Sequence, residues 1–169
     1  MKKAKKNYVN NKEFYDAMVL YKKSVKEAEE SGDEPPIIPR YIGECVYQIS
    51  NRLAFKPNFI NYSYRDEMIA DGLENAIMAI NNFDPEKSAN PFAYFTQIIY
   101  FAFLRRIAKE KKQLYVKHKV MENAVIHDTM VERDGNSSDG NATYADLNND
   151  YMSDFVENFE AAMQKKKEK

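Results

Sequence analysis

Large apolar side chains recur at two angular settings between Phe92 and Ile107, and that pattern leaves little choice of structure. Phe95, Ile99, Ala102, Phe103 and Ile107 repeat at steps of three and four, which puts them on one stripe of an α-helix. That stripe is assigned to a core. Tyr94, Gln97, Ile98, Phe101, Leu104 and Arg105 face elsewhere. A surface helix has little use for large apolar groups on a second face, so this set is expected to meet a partner. A basic run follows at once: from Leu104 to Val120 there are seven Lys/Arg against one Glu, while the whole chain carries only −1. Rings stack on unpaired bases and cations neutralise phosphates, so the stretch suits nucleic acid with single-stranded character. A core helix ending in a solvated basic face fits the same residues, and pattern alone leaves both open.

The rest of the chain is built to bury such a helix. Its 169 residues suffice for one domain, or a smaller one with a tail, and 44% are hydrophobic. Five Gly, no Trp and helical periodicity throughout favour an all-α protein, a compact bundle of about four helices. The single Cys45 cannot form an internal disulfide and sits in an apolar-periodic segment, so it is assigned to the core. The basic N-terminus has no apolar region behind it, and the longest apolar run, 98–104, is too short to span a membrane. A soluble intracellular protein is expected.

A first helix is expected from the Asn10/Asn11 cap, with Phe14, Met18, Tyr21 (or Val19) and Val25 inward, fading at Ser31-Gly32-Asp33. Pro39 suits the start of a second, running to about Phe55, with Ile42, Val46, Ile49 and Leu53 buried. Ser63 is placed as the cap of a third, about 64–82, with Asp66 and Glu67 in the dipole-favoured first turn. Pro91 opens the fourth, placed as far as Lys119. The charge then inverts to −9 between Glu122 and Glu160. Residues 133–143 are polar and Gly/Ser/Asn-rich and are assigned to a flexible linker. Beyond them Met152, Phe155, Val156, Phe159 and Met163 form an apolar helical stripe. The expected organisation is a helical domain at 8–120, an acidic linker at 121–150 and an interaction segment at 151–169.

Chemistry-bearing constellations are missing. There is no glycine-rich phosphate loop, and His118 and His127 have no Cys or carboxylate at metal-ligand spacing. Asp66, Glu67 and Asp71 are the only residues that suggest a nuclease metal, and helix-start electrostatics explain the first two more simply. No enzyme, metal or cofactor is expected.

Met68-Ile69, Asp71-Gly72, Ala79-Ile80, Phe83, Tyr94-Phe95-Thr96 and Arg105 fall in register, without a gap, with a known pattern. Residues 68–112 thereby resemble the second conserved region of bacterial sigma factors. YVNNKEF, EMIADG, NFDPEKSANPFAYFTQ and RRIAKEKK extend the likeness over most of residues 7–115, where the chain resembles the late-transcription sigma factors of T-even-type bacteriophages. The resemblance implies a factor that leads host RNA polymerase, in the cytoplasm of an infected bacterium, to late viral promoters carrying an AT-rich element near −10.

Carried over residue by residue, it implies that Glu67, Ala70, Asp71, Leu73, Glu74 and Ile77 dock on the clamp helices of the polymerase's largest subunit. Ala70 and Leu73 are more apolar than the family pattern. The resemblance assigns Tyr94, Gln97, Ile98, Phe101, Leu104 and Arg105 to promoter DNA, and Arg106, Lys109, Lys111 and Lys112 extend that set. Primary sigma factors carry paired Trp where Gln97 and Ile98 stand, which leaves base capture to Tyr94. For the C-terminal stripe the resemblance implies a ligand of the DNA sliding clamp through Phe155, Val156 and Phe159; a fifth helix packed on the bundle is equally compatible with the pattern. The rival readings are a free-standing DNA-binding protein and a helical interaction protein with an acidic partner.

Overall fold

The computed structural model describes residues 8–132 and 150–167, with side chains left undescribed at 124–132, 150–151 and 167. The chain divides into two units, Met1–Ile107 and Ala108–Lys169. The described residues are all-helical, with no strand among them.

In the first unit, α1 (Asn11–Ser31) begins at Asn10, whose side chain accepts the Lys12 amide and donates to Glu13 Oε1 at 2.8 Å. It ends at Gly32, where a φ of 74° lets the cap amide turn back to the Ala28 carbonyl. Phe14, Met18, Tyr21 and Val25 are buried as the spacing predicts, and Val19 is exposed. α2 (Arg40–Ala54) starts directly after Pro39 and buries Ile42, Cys45, Val46, Ile49 and Leu53.

α3 (Arg65–Met78) starts one residue later than a Ser63 cap would place it, after Tyr64. It is also shorter than expected, because Ile80–Asn82 tighten into a 3-10 turn before the extended Phe83. Ile80 and Phe83 are both buried, and three residues per turn keeps them on the same side.

α4 (Pro91–Glu132) contributes its first part, to Ile107, to this unit. Its start is held by two asparagines: Asn90 Oδ1 accepts the Ala93 amide at 3.0 Å, and Asn11 Oδ1, from α1, accepts the Phe92 amide at 3.2 Å. The connecting loop is tied to α1 as well, by Tyr15 donating to the Pro85 carbonyl and Lys22 to the Asn81 carbonyl. Four fully buried phenylalanines, Phe14, Phe83, Phe95 and Phe103, form the centre. Phe95 stacks on Phe14 at 5.6 Å, while Phe103 takes the edge of Phe59 at 5.2 Å. Phe59 lies in the turn after α2, beyond the break at Pro57 and Asn58, a position that helical periodicity does not reach.

Packing is tight where α2, α3 and α4 meet. A Cβ on Gly72 would stand 2.8 Å from Phe103 Cε1, 2.8 Å from Ser50 Oγ and 2.9 Å from Ile99 Cγ2. Ser50 is fully buried and donates to the Ile69 carbonyl at 3.0 Å, so its hydroxyl costs nothing unsatisfied at this crossing.

In the second unit, α4 continues to Glu132, past the end placed at Lys119, so residues 121–132 are helix rather than linker. They contain neither Gly nor Pro, the residues that punctuate helices. Residues 133–149, which hold most of the expected linker, lie outside the described residues. α5 (Asp150–Lys167) is the helix expected from the C-terminal stripe.

The two helical glycines should respond oppositely to alanine. Gly43 has nothing within 4 Å of an added Cβ, so Gly43→Ala should stabilise by up to about 1 kcal/mol through helix propensity. Gly72→Ala should destabilise by about 1–3 kcal/mol through overpacking, read as a lower denaturation midpoint. Equal responses would show that the crossing has room.

Candidate nucleic-acid and partner interfaces

The two faces of α4 are distinct in the first unit. Phe95, Ile99, Ala102 and Phe103 are buried, and Ile107 packs against the core from its edge. On the other face Gln97, Phe101, Leu104 and Arg105 are exposed, Phe101 by 48% and Leu104 by 40%. Ile98 is half-buried and packs against the core, so it is only partly available.

Tyr94 also sits lower than a base-capturing ring requires. Its hydroxyl donates to the Ala79 carbonyl at 3.2 Å, and its ring meets the edges of Phe83 and Phe95 at 5.2 and 5.1 Å. Burial pushes its phenol pKa up. It closes the seam between α3 and α4, because it falls only one position before the fully buried Phe95. Stacking on a base would break these contacts.

Two adjacent arginines tie α4 to α3 in different ways. Arg106 Nε and an Nη each donate to one oxygen of Asp71 at 2.6 Å, a bidentate pair with side chains 17% and 28% exposed. Arg105 donates to Asn75 Oδ1 at 2.7 Å, and Asn75 donates in turn to the Asp71 carbonyl. The sequence had directed Arg106 to DNA and Asp71 to polymerase; the fold pairs them with each other across 35 residues. The sequence order gives no signal of this, since it depends on the register of two helices. Asp71 is thereby also withdrawn from the acidic trio of the nuclease reading. Among the described residues no group of three or more His, Cys, Asp or Glu could hold a metal ion.

On α3, Glu67, Ala70, Glu74 and Ile77 are exposed, Ile77 by 42%, and Met78 beyond them is exposed too. Leu73 is half-buried and packs against the core. The expected docking face is therefore narrower than the sequence suggests, with Ile77 as its apolar point, just beyond Glu74 at the C-terminal end of α3.

In the second unit, Lys109, Lys111 and Lys112 are exposed on α4. Further along, Tyr115 stacks on Phe159 of α5, ring centroids 4.9 Å apart, and Phe159 stacks on Phe155 at 5.9 Å. Tyr115 Oη donates to Glu160 Oε1 at 2.9 Å, and the same oxygen lies 3.3 Å from Lys119 Nζ. Val156 is buried and Met163 exposed. α5 thus meets α4 within this unit through Phe159 and Glu160. Sequence reasoning missed Tyr115 and Lys119, although both fall in or beside the basic run that it singled out.

No helix of the described residues is long and apolar enough to cross a membrane. No protein-family model and no curated protein matches this chain.

The Asp71–Arg106 pair makes a quantitative prediction. Asp71→Asn and Arg106→Gln should each cost about 1–3 kcal/mol, because each strands a partly buried charged partner. The double variant should cost clearly less than the sum. Strict additivity in urea denaturation would show that the pair is not formed.

Proposed function

We propose that this chain is a sigma-type specificity subunit, which joins a bacterial core RNA polymerase and directs it to melt late viral promoters at an AT-rich element near −10. The observation that carries this reading is the exposed second face of α4. Phe101 and Leu104 stand out from the bundle beside Arg105, within the register that resembles the sigma second region. The Phe101 ring offers a stacking surface to an extruded base, worth about 1–3 kcal/mol, with Leu104 as apolar contact beside it, and AT-rich steps are the cheaper ones to unpair. With Tyr94 engaged in the α3–α4 seam, Phe101 is the better-placed ring.

Polymerase docking falls to Glu67, Ala70, Glu74 and Ile77 on α3. An apolar side chain beside the Glu67 and Glu74 carboxylates suits a coiled coil with basic flanks, where the charges set the register and Ile77 supplies burial. In the second unit Lys109, Lys111 and Lys112 are phosphate contacts. A clamp contact through Phe155, Val156 and Phe159 requires Phe159 to leave α4 first, since its ring stacks on Tyr115.

The chain should co-elute with core polymerase in gel filtration, and Glu74→Lys with Ile77→Lys should abolish this at unchanged helicity. Phe101→Ala should keep polymerase binding and lower permanganate-reactive promoter by about tenfold. Failure to bind core polymerase, with promoter DNA bound by the chain alone, would favour the free-standing DNA-binding alternative. Neutralising Lys109, Lys111 or Lys112 should lower the salt slope of promoter binding by about one each. Arg106→Gln should act instead through stability.

A further inference from the structure

Within the second unit, α5 presents to α4 a flat ring joined, one residue on, to an anion. Phe159 lies on the Tyr115 ring at an interplanar angle of 27°, and Glu160 takes both the Tyr115 hydroxyl and the Lys119 ammonium. The hydrogen bond from Tyr115, and then that from Lys119, hold the Glu160 carboxyl below its usual range, so it is charged at neutral pH. A nucleotide presents the same two elements, a base to stack and a phosphate for a cation and a hydroxyl donor.

Charge follows the same logic. From Asp154 to Glu160 α5 carries three carboxylates and no cation, and from Lys109 to Lys119 α4 carries five Lys against one Glu, although over their full lengths in this unit the helices are nearly balanced, α5 at −1 and α4 at +1. The anionic stretch of α5 meets a cation of α4 through Glu160, where a phosphate could take its place.

We infer that Tyr115 and Lys119 form a binding site for single-stranded nucleic acid, and that α5 occupies it here, Phe159 standing in for a base and Glu160 for a phosphate. α5 is weakly enough held to be displaced. Val156 is its one buried side chain among those described, and the Lys119–Glu160 pair is solvent-exposed and therefore screened by salt. The inference rests on the nucleic-acid reading of α4 proposed above. Its test uses no polymerase, so the two fail separately.

The full chain should be titrated into a fluorescein-labelled oligothymidylate of about 12 nucleotides, followed by anisotropy. The unmutated chain should bind weakly. Phe159→Ala with Glu160→Gln should tighten binding about tenfold, and Tyr115→Ala added to that pair should remove the gain. Absence of tightening overturns the proposal, and so does a gain that survives Tyr115→Ala. Because the double variant could unfold α5, the unmutated chain supplies a second readout. Saturating oligonucleotide should speed amide exchange over residues 152–163, and protection unchanged at saturation overturns the shared site.

Discussion

The close approach of three helices at Gly72 is the constraint on which the rest of the first unit depends. With no Cβ there, the α3 backbone comes into contact with Phe103, Ile99 and Ser50. That approach sets the rotation of α4, since a helix fixed at Ile99 and Phe103 has no freedom left about its axis. Phe95 and Phe103 go down, and Phe101 and Leu104 must therefore come up. The exposed aromatic face is a geometric consequence of a glycine on a different helix. The same approach brings Asp71 and Asn75 within reach of Arg106 and Arg105, which lock the register that the glycine permits.

The two arginines illustrate how a fold sorts cations that look alike in sequence. Arg106 is bound by a carboxylate through two short hydrogen bonds, so its charge is largely answered inside the bundle. Arg105 is held by the neutral amide of Asn75, which fixes its direction without cancelling its charge. A guanidinium positioned but not neutralised is the form that can still attract a phosphate. The adjacent pair thus divides into one structural and one available cation, and only the α3 partner decides which is which.

Periodicity made the architecture legible. Phe14, Met18, Tyr21 and Val25 on α1, Ile42, Val46, Ile49 and Leu53 on α2, and Phe95, Ile99 and Phe103 on α4 are buried where a 3.6-residue repeat puts them. The errors fall where local pattern stops being decisive. Phe59 is buried from a turn, where no repeat exists to reveal it. The end of α3 tightens because Ile80 and Phe83 need the same side, a tertiary demand. Of the candidate site, the exposed face at Gln97, Phe101, Leu104 and Arg105 was readable as a surplus of apolar groups on one helix. The engagement of Tyr94, Asp71 and Arg106 was not, because each depends on a partner 15 to 35 residues away. The outcome for the C-terminal stripe was likewise hidden, since a stripe announces that a helix face will be covered and says nothing of what covers it.

That last ambiguity has a thermodynamic consequence. Phe155, Val156 and Phe159 form one apolar stripe, and in the second unit its Phe159 stacks on Tyr115 of α4. A protein partner that took the same stripe would compete with α4 for it, and would leave on α4 the Tyr115 ring uncovered and the Lys119 ammonium paired with Glu122 alone. Binding at α5 and binding at Tyr115–Lys119 are then linked by one opening equilibrium. Each ligand shifts it only by its preference for the open form, and each favours the other by the same factor. Such coupling would need no change in the bundle, with α5 itself as the element that opens. A helix held by one ring stack and a solvent-exposed ion pair would supply the small free-energy gap that such coupling requires, since an equilibrium set too far toward closure would tax both ligands beyond what their affinities could recover.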